Sequence, residues 1–392
     1  MRFTVNRKVM LEYLKSMIRV VPKDNPKKEL KCFLLEANED DGFLYITATN
    51  MEVSVQRKFK PELETGGSFA IEAHLLTNIL PLLGEDNVCF EEIKPGIVAI
   101  KSGRCTYKIR TLDGKNFPKP QIPFPDSTVL VSHMKQIYGK TYASVSANNV
   151  SEVLKGIHFD IKAEKLQVIG CNNQNIALIT KGVSCGGEME FTITKETFSH
   201  LATVAGNEEL EVGLCGSTIV FMKDNMLFSA RKIDKEFVNV NRVFENLKRE
   251  YVAKVNYEEF KEQVLNICDI AAMGSQTSYI KVSFFDDKIE LSTQNDTGSS
   301  SNTVSIVRVD GTANKTFYYN ASSFKDVFKT VEGTLIICLN SNGYLNVMDR
   351  ESQYLMMSIP EILVQKQLEK YEEKKKNPKK KKQVSAPEKK AA

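Results

Sequence analysis

The chain has 392 residues, 53 Lys and Arg against 49 Asp and Glu, and 42% apolar residues. That composition describes a folded protein of roughly two to four domains and excludes a mostly disordered one. No apolar run reaches the roughly 18 residues of a membrane span, the N-terminus has no apolar leader core, and the eight cysteines form no CxxC pair, so the reading is reduced thiols in the cytoplasm, with no disulfide framework and no zinc site.

In chain order, the first element is a short strand running into an amphipathic helix, FTVNRKVMLEYLKSMIRVV from Phe3. Leu11, Leu14, Ile18 and Val21 form one stripe of that helix, and Lys8, Glu12, Lys15 and Arg19 the other. Lys23, Lys27 and Lys28 follow in the next loop. A second strand and shorter helix follow as GSFAIEAHLLTNILPLL, then paired strands as VCFEEIKPGIVAIKSGRCTYKIRTL. Period-2 alternation marks the strands and KPG their turn. The Pro-rich KNFPKPQIPFP then closes a unit near Phe124 and Pro125.

The same order returns twice. VLVSHMKQIYGKTYASV, MEFTITKETFSHLATVA and LEVGLCGSTIVFMKDNMLFSARKI make the second copy. AKVNYEEFKEQVLNICDIA, KTFYYNASSFKDVFKTV and LIICLNSNGYLNVMDRESQYLMMSI make the third. Val5, Val131 and Val255 align at spacings of 126 and 124, and Phe69, Phe191 and Phe317 at 122 and 126. Two landmarks recurring in order at near-constant spacing signal a threefold internal repeat of domain size. The expected domains are residues 1–125, 126–247 and 248–362, with a disordered basic tail at 363–392. From Val364 on, eleven Lys face four Glu. Subtracting that +7 from the chain's +4 leaves −3 for residues 1–363. Such a tail reads either as a contact for nucleic acid or an acidic surface, or as a solubilising terminus.

Lys135 and Lys140 lie on the second copy's first helix, equivalent to the helix on which the first copy carries cations, and Lys325 and Lys329 lie on the third copy's second helix. Singly, each reads as a solvated helix face. Together, in an acidic body, they read as a surface that holds a phosphate backbone without reading bases. Catalysis finds no support: His74, His133, His158 and His200 fall in no motif that builds a site, and no Gly-rich phosphate loop is present. Cys171 and His158 could be imagined as nucleophile and base. The ordinary reading is a buried thiol and a surface imidazole.

Several segments resemble the bacterial sliding clamp, the beta subunit of the replicative DNA polymerase III. MRFTVNRKVMLEYLKSM resembles its first strand and helix, LYITATNME from Leu44 its strand-turn, and SGRCTYKIRTLDGKNFP from Ser102 the end of its first domain. LKGIHF from Leu154 and the closing QYLMMSIP are similar to segments of its later domains, so the likeness runs over about residues 1–361. The resemblance implies an α+β fold of three tandem DNA-clamp domains, each with two helices packed on antiparallel sheets. Two chains would pair head to tail as a homodimer, a six-domain ring around double-stranded DNA. Its function would be that of a processivity factor tethering the replicative DNA polymerase and clamp loader through short peptide motifs. It implies no catalytic residues, no cofactor and no metal.

Carried over by register, the DNA-facing residues would be Lys8, Lys15, Arg19, Lys23, Lys27, Lys135, Lys140, Lys325 and Lys329. A partner-peptide pocket would use Leu154, Cys171, Gln174, Ile176, Arg242, Val243, Leu355, Met357 and Ile359. The dimer interface would involve Tyr107 and Ile109 on one face of an edge strand, with Ala271 and Met273 and the segment Asn295–Val304 opposite. Three stretches depart from the family pattern: GCNNQN at 170–175 lacks the usual Gly-His-Arg, FVNVNRV at 237–243 replaces an Arg-rich turn, and the chain continues past its closing strand. The alternatives are a clamp-like scaffold that binds proteins without encircling DNA, and an enzyme with a site between repeats.

Overall fold

The computed structural model describes residues 1–183, 187–273, 278–295 and 298–376. These pack into two compact units. The first holds Met1–Gly170 and Thr180–Phe237; the second holds Cys171–Ile179 and the chain from Val238 on.

The first unit contains two copies of the repeat. Strand Arg2–Asn6 runs into helix α1 (Arg7–Met17), and Gly67–Glu72 into α2 (Ala73–Ile79). In the second copy Val129–Val131 leads to α3 (Met134–Thr141), and Met189–Thr194 to α4 (Lys195–Ala205). Three of these four strand-to-helix junctions are capped by the residue at the end of the strand. Asn6 accepts from the amides of Lys8 and Val9, Glu72 from those of His74 and Leu75, and Thr194 from that of Thr197. A side-chain oxygen there satisfies amides that the first helical turn leaves open. Each cap follows an aligned apolar residue, Val5, Phe69 or Phe191, buried in the core.

A five-stranded sheet runs in the order Glu62–Thr65, Arg2–Asn6, Asn87–Lys94, Ile97–Ser102, Cys105–Arg110, so Cys105–Arg110 is an edge. A nine-stranded sheet passes from the first copy into the second, because Val53–Phe59 pairs antiparallel with Met226–Arg231. The seam beside that pairing is polar. Buried Arg57 donates to the carbonyl of Val204 at 2.6 Å and to Asn225 Oδ1 at 3.2 Å, and lies 5.0 Å from the ring centroid of Tyr13. Asn225 in turn donates to the Tyr13 hydroxyl at 2.9 Å. Val204 lies in the last turn of α4, where carbonyls have no helical donor, and the guanidinium supplies one. Stacked Phe3 and Phe90, and Phe159 and Phe191, mark the cores of the two copies.

In the second unit α5 (Asn241–Glu245) precedes strand Tyr251–Asn256 and α6 (Tyr257–Ala272); Lys315–Asn320 then leads to α7 (Ala321–Phe328). Asn256 and Asn320 cap α6 and α7 as Asn6 caps α1. A four-stranded sheet has Ser299–Ser305 at one edge, followed by Lys288–Gln294, Tyr279–Phe284 and Lys315–Asn320. A further set of strands includes Ser352–Met356, against which Asn175–Ile179 pairs antiparallel. The turn read from KPG puts Gly96 at positive φ, and the corresponding turns CGS and NSNG of the later copies do the same with Gly216 and Gly343, a conformation that glycine adopts without strain.

The reading of residues 363–392 as a disordered tail is corrected over its first part. Glu361–Lys376 forms helix α8, and Val364 in its first turn is buried. The segment EILVQKQLEKYEEKKK is made almost wholly of good helix formers, and one buried side chain gives it a foothold. Residues 377–392 lie outside the described residues.

Candidate functional site

The second unit carries a hollow of about 150 Å³ where its closing strand ends. The chain there is held on both sides. Met357 donates its amide to the carbonyl of Gln174 at 2.9 Å, and Ile359 donates to that of Tyr318 at 2.6 Å. Leu363 closes back on Pro360 at 2.9 Å as α8 begins. The floor is Tyr319, whose hydroxyl donates to the Gly343 carbonyl at 2.7 Å and whose pKa burial raises well above the usual phenol value. Met356, Met357, Ile359, Pro360 and Leu363 supply the apolar wall; Gln174, Asn175, Asn320, Ser323 and Ser358 supply the polar groups. A concave apolar site with a few convergent polar groups suits a short peptide anchored by buried side chains.

Of the nine residues expected at a partner pocket, Gln174, Met357 and Ile359 line this hollow. Ile176 and Leu355 are paired neighbours in the strands behind it, and Leu355 is buried. Cys171 is buried, and desolvation pushes its thiol up to about 11, so it is no nucleophile at neutral pH. Arg242 and Val243 sit exposed on α5 and do not line the hollow. Leu154 lies in the turn Val153–Lys155 of the first unit. Tyr319, Asn320, Ser323, Pro360 and Leu363 were not foreseen; the only signal for them was the aromatic pair Tyr318-Tyr319 running into a capping Asn.

The expected cations divide. Lys15, Lys23, Lys27 and Lys135 are exposed, the first on α1 and the last on the opening turn of α3. Arg19, just past α1, is exposed and donates to Thr203 Oγ1 on α4 at 3.4 Å. Lys8 is exposed but paired with Asp86 at 3.1 Å. Lys140 is a correction: it is 5% exposed, because position 140 of α3 turns inward, so it cannot belong to an open cationic face. In the second unit Lys329 is exposed, whereas Lys325 is partly buried and paired with Asp269 of α6. Exposed Glu258, Glu259, Glu262 and Asp269 outnumber Lys261 on α6, a balance already present in YEEFKEQ. Of the expected cations, those displayed lie mostly on α1 and the segment just after it, with Lys135 alone on α3 and Lys329 in the second unit.

Cys105–Arg110 is an edge strand, and Tyr107 on it is exposed. Ile109 is 6% exposed and belongs to the core of its own unit, which corrects its expected place at a subunit surface. Tyr107 and Ile109 share one face of the strand, but only Ile109 lies under the cover of its own unit; alternation names the face and does not say how far along it the core extends. Ala271 is buried on α6, while Met273 beyond its end is 67% exposed. The facing segment expected at Asn295–Val304 falls at the edge strand Ser299–Ser305, with residues 296 and 297 outside the described residues.

His158 is buried, which corrects its reading as a surface group. Its ring stacks on Phe237 with centroids 4.6 Å apart, and Nδ1 shares a hydrogen bond with Thr192 Oγ1 at 3.0 Å. Among the described residues no group of three or more His, Cys, Asp or Glu could hold a metal ion, and no helix is long and apolar enough to cross a membrane. A larger groove of about 720 Å³ on the first unit, beside Tyr45, Phe124 and Leu130, mixes Lys58 and Lys223 with Glu209, Glu211 and Asp224. Its charges do not converge, so the smaller hollow is the better candidate.

Residues 1–122 match a family model described as the DNA polymerase III beta subunit, N-terminal domain. The beta sliding clamp of Mycoplasma capricolum is 22% identical over 344 residues, 84% of this chain and 90% of that one. The DNA polymerase sliding clamp of Bacillus subtilis superposes with a TM-score of 0.83 at 16% identity, covering 92% of this chain and 99% of that chain. A sliding clamp from Pseudomonas aeruginosa, solved bound to griselimycin, gives 0.83 at 17% identity with the same coverage.

Proposed function

Because this chain is a divergent member of the beta sliding clamp family, a non-catalytic accessory subunit of three-domain clamp architecture, we propose that it acts as a DNA polymerase processivity factor in the cytoplasm. Two chains pair into a closed ring around duplex DNA, and the ring tethers the replicative polymerase and its loader. The observation that carries this reading is a pair of open sheet edges, Cys105–Arg110 in the first repeat and Ser299–Ser305 in the third, on a chain whose α1 and α3 display cations. An unpaired edge is a template for another strand, and an edge in the first and the last repeat suits head-to-tail closure. Helical cations without a base-reading element suit sequence-independent phosphate contacts, and a topological link needs only weak ones.

The hollow around Tyr319 and Met357 takes short partner peptides through apolar anchors. Its test is calorimetry with the C-terminal segment of a polymerase from the same genome. Binding that Met357→Asp abolishes while the dimer survives supports it; wild-type affinity in that variant removes the hollow from this role. The ring reading is tested by retention on DNA. Long retention on nicked circles and rapid loss from linear duplex at matched salt supports encirclement, and equal loss from both overturns it.

A further inference from the structure

We propose that the larger groove of the first unit is a second docking surface, which takes a partner segment carrying arginine beside an apolar anchor. It goes beyond the ring and the peptide hollow, since every residue that lines it belongs to the first unit. Antiparallel pairing sets Gln56, Leu227, Met222, Glu211 and Leu130 side by side across five strands, so their side chains share one face of the nine-stranded sheet. The alternate positions Val55, Phe228, Phe221 and Val212 are buried on the other face, which the core takes. All five outward residues line the groove of about 720 Å³. Phe124, in the Pro-rich segment that joins the two copies, lines it too and is 77% exposed. The same ring lines an adjoining groove of about 590 Å³. An aromatic ring held out in this way offers a face on which an apolar side chain or a guanidinium can stack.

The charges of the groove do not meet at one point, but pairing sorts them. Lys223 pairs with Glu208 at 2.8 Å. Lys58 sits 5.3 Å from the centroid of the Phe43 ring and helps, after the Tyr45 hydroxyl and the Phe43 amide, to hold the Asp41 carboxyl below its usual pKa. Both cations are thus answered by neighbours outside the lining. The carboxylates are answered less. Glu211 accepts from the Thr128 hydroxyl at 3.0 Å, and among the described residues Glu209 and Asp224 form no ion pair. Both are exposed. Glu209 precedes strand Leu210–Cys215 and Asp224 follows its antiparallel partner Thr218–Lys223, so the two stand at the same end of that pair. The charge left uncompensated in the groove is negative and lies beside an apolar strip. Arginine complements both features, because its planar guanidinium pairs with carboxylates and stacks on rings.

The probes are two labelled synthetic peptides with the same Leu-Phe-Leu core, one flanked on both sides by two Arg and the other by two Gln, titrated into the full chain by fluorescence anisotropy. The Arg-flanked peptide is expected to bind about five- to tenfold tighter at low salt, with the advantage lost at about 0.5 M salt. In the variant Glu209→Gln, Asp224→Asn the advantage disappears and the Gln-flanked affinity stays. Phe124→Ser weakens both peptides at least about fivefold, and Met357→Asp in the hollow leaves the Arg advantage in place. All three groove substitutions fall on exposed side chains, so unchanged circular dichroism is expected of each variant. An Arg advantage that survives Glu209→Gln, Asp224→Asn overturns the proposal, as the cations then sit elsewhere. Loss of both peptides in Met357→Asp with no effect of Phe124→Ser also overturns it and leaves the hollow standing. Equal affinity of the two peptides for the wild-type chain, or binding of neither, overturns it as well.

Discussion

At the scale of single residues, buried polar groups set the sharpest expectations. Arg57 binds Val204 and Asn225 across the seam of the first two repeats. Replacing it with Met keeps much of the volume and strands both acceptors, which costs about 3 kcal/mol; a lowered urea midpoint for the first unit measures it. His158 is held below the usual imidazole pKa by burial, with Glu190 and Asp160 opposing and Lys162 assisting. The unfolded chain then takes up a proton that the folded chain refuses as the pH falls below about 6.5, so this residue weakens the fold between that pH and its lower folded pKa. His158→Phe, which keeps a ring against Phe237, should flatten the fall in thermal midpoint between about pH 7 and 5. His200, also lowered by burial, contributes to the same fall. Ile109→Glu buries a charge in a core and should unfold the first unit, whereas Tyr107→Glu touches only the exposed edge.

At the scale of elements, the repeat is written in its caps and edges. Asn320→Ala removes the acceptor for Ser323 and should cost about 1 kcal/mol, while Asn320→Gly costs only a few tenths, measurable as a difference in thermal midpoint. Tyr107→Glu should convert a sedimenting dimer to monomer without loss of helicity; a stable dimer would move the interface away from Cys105–Arg110. Strand–helix order and the turn glycines were legible in the sequence because each is a local rule of spacing or backbone sign. The burial of Lys140 and Ile109 was not, since alternation and helical period define two faces but long-range packing decides which is inside. Helix α8 was hidden for another reason: its charge and low apolarity resemble a solvated tail, and only the docking of Val364 reveals it. The hollow was half legible, its strand-end residues by register and Tyr319 and Leu363 not at all, because they meet only after the third repeat folds.

At the scale of the whole molecule, charge reversal of Lys15, Arg19 and Lys135 should shorten retention on circular DNA regardless of sequence and flatten its salt dependence, as counterion release predicts. The same reversal at Lys140 should unfold the second repeat instead, visible as lost circular dichroism. One arrangement described above also has a history in time. The second unit takes Asn175–Ile179 from the middle of the chain and pairs it with Ser352–Met356. On a ribosome the first of these strands emerges about 170 residues before its partner, a wait of roughly 10 to 30 s at ordinary elongation rates. Through that interval it stands as an unpaired edge in a nascent chain, a surface that chaperones and neighbouring nascent chains can both reach. The third repeat is thus completed by a piece made long before it, and a fragment beginning at Val238 would be born without that piece.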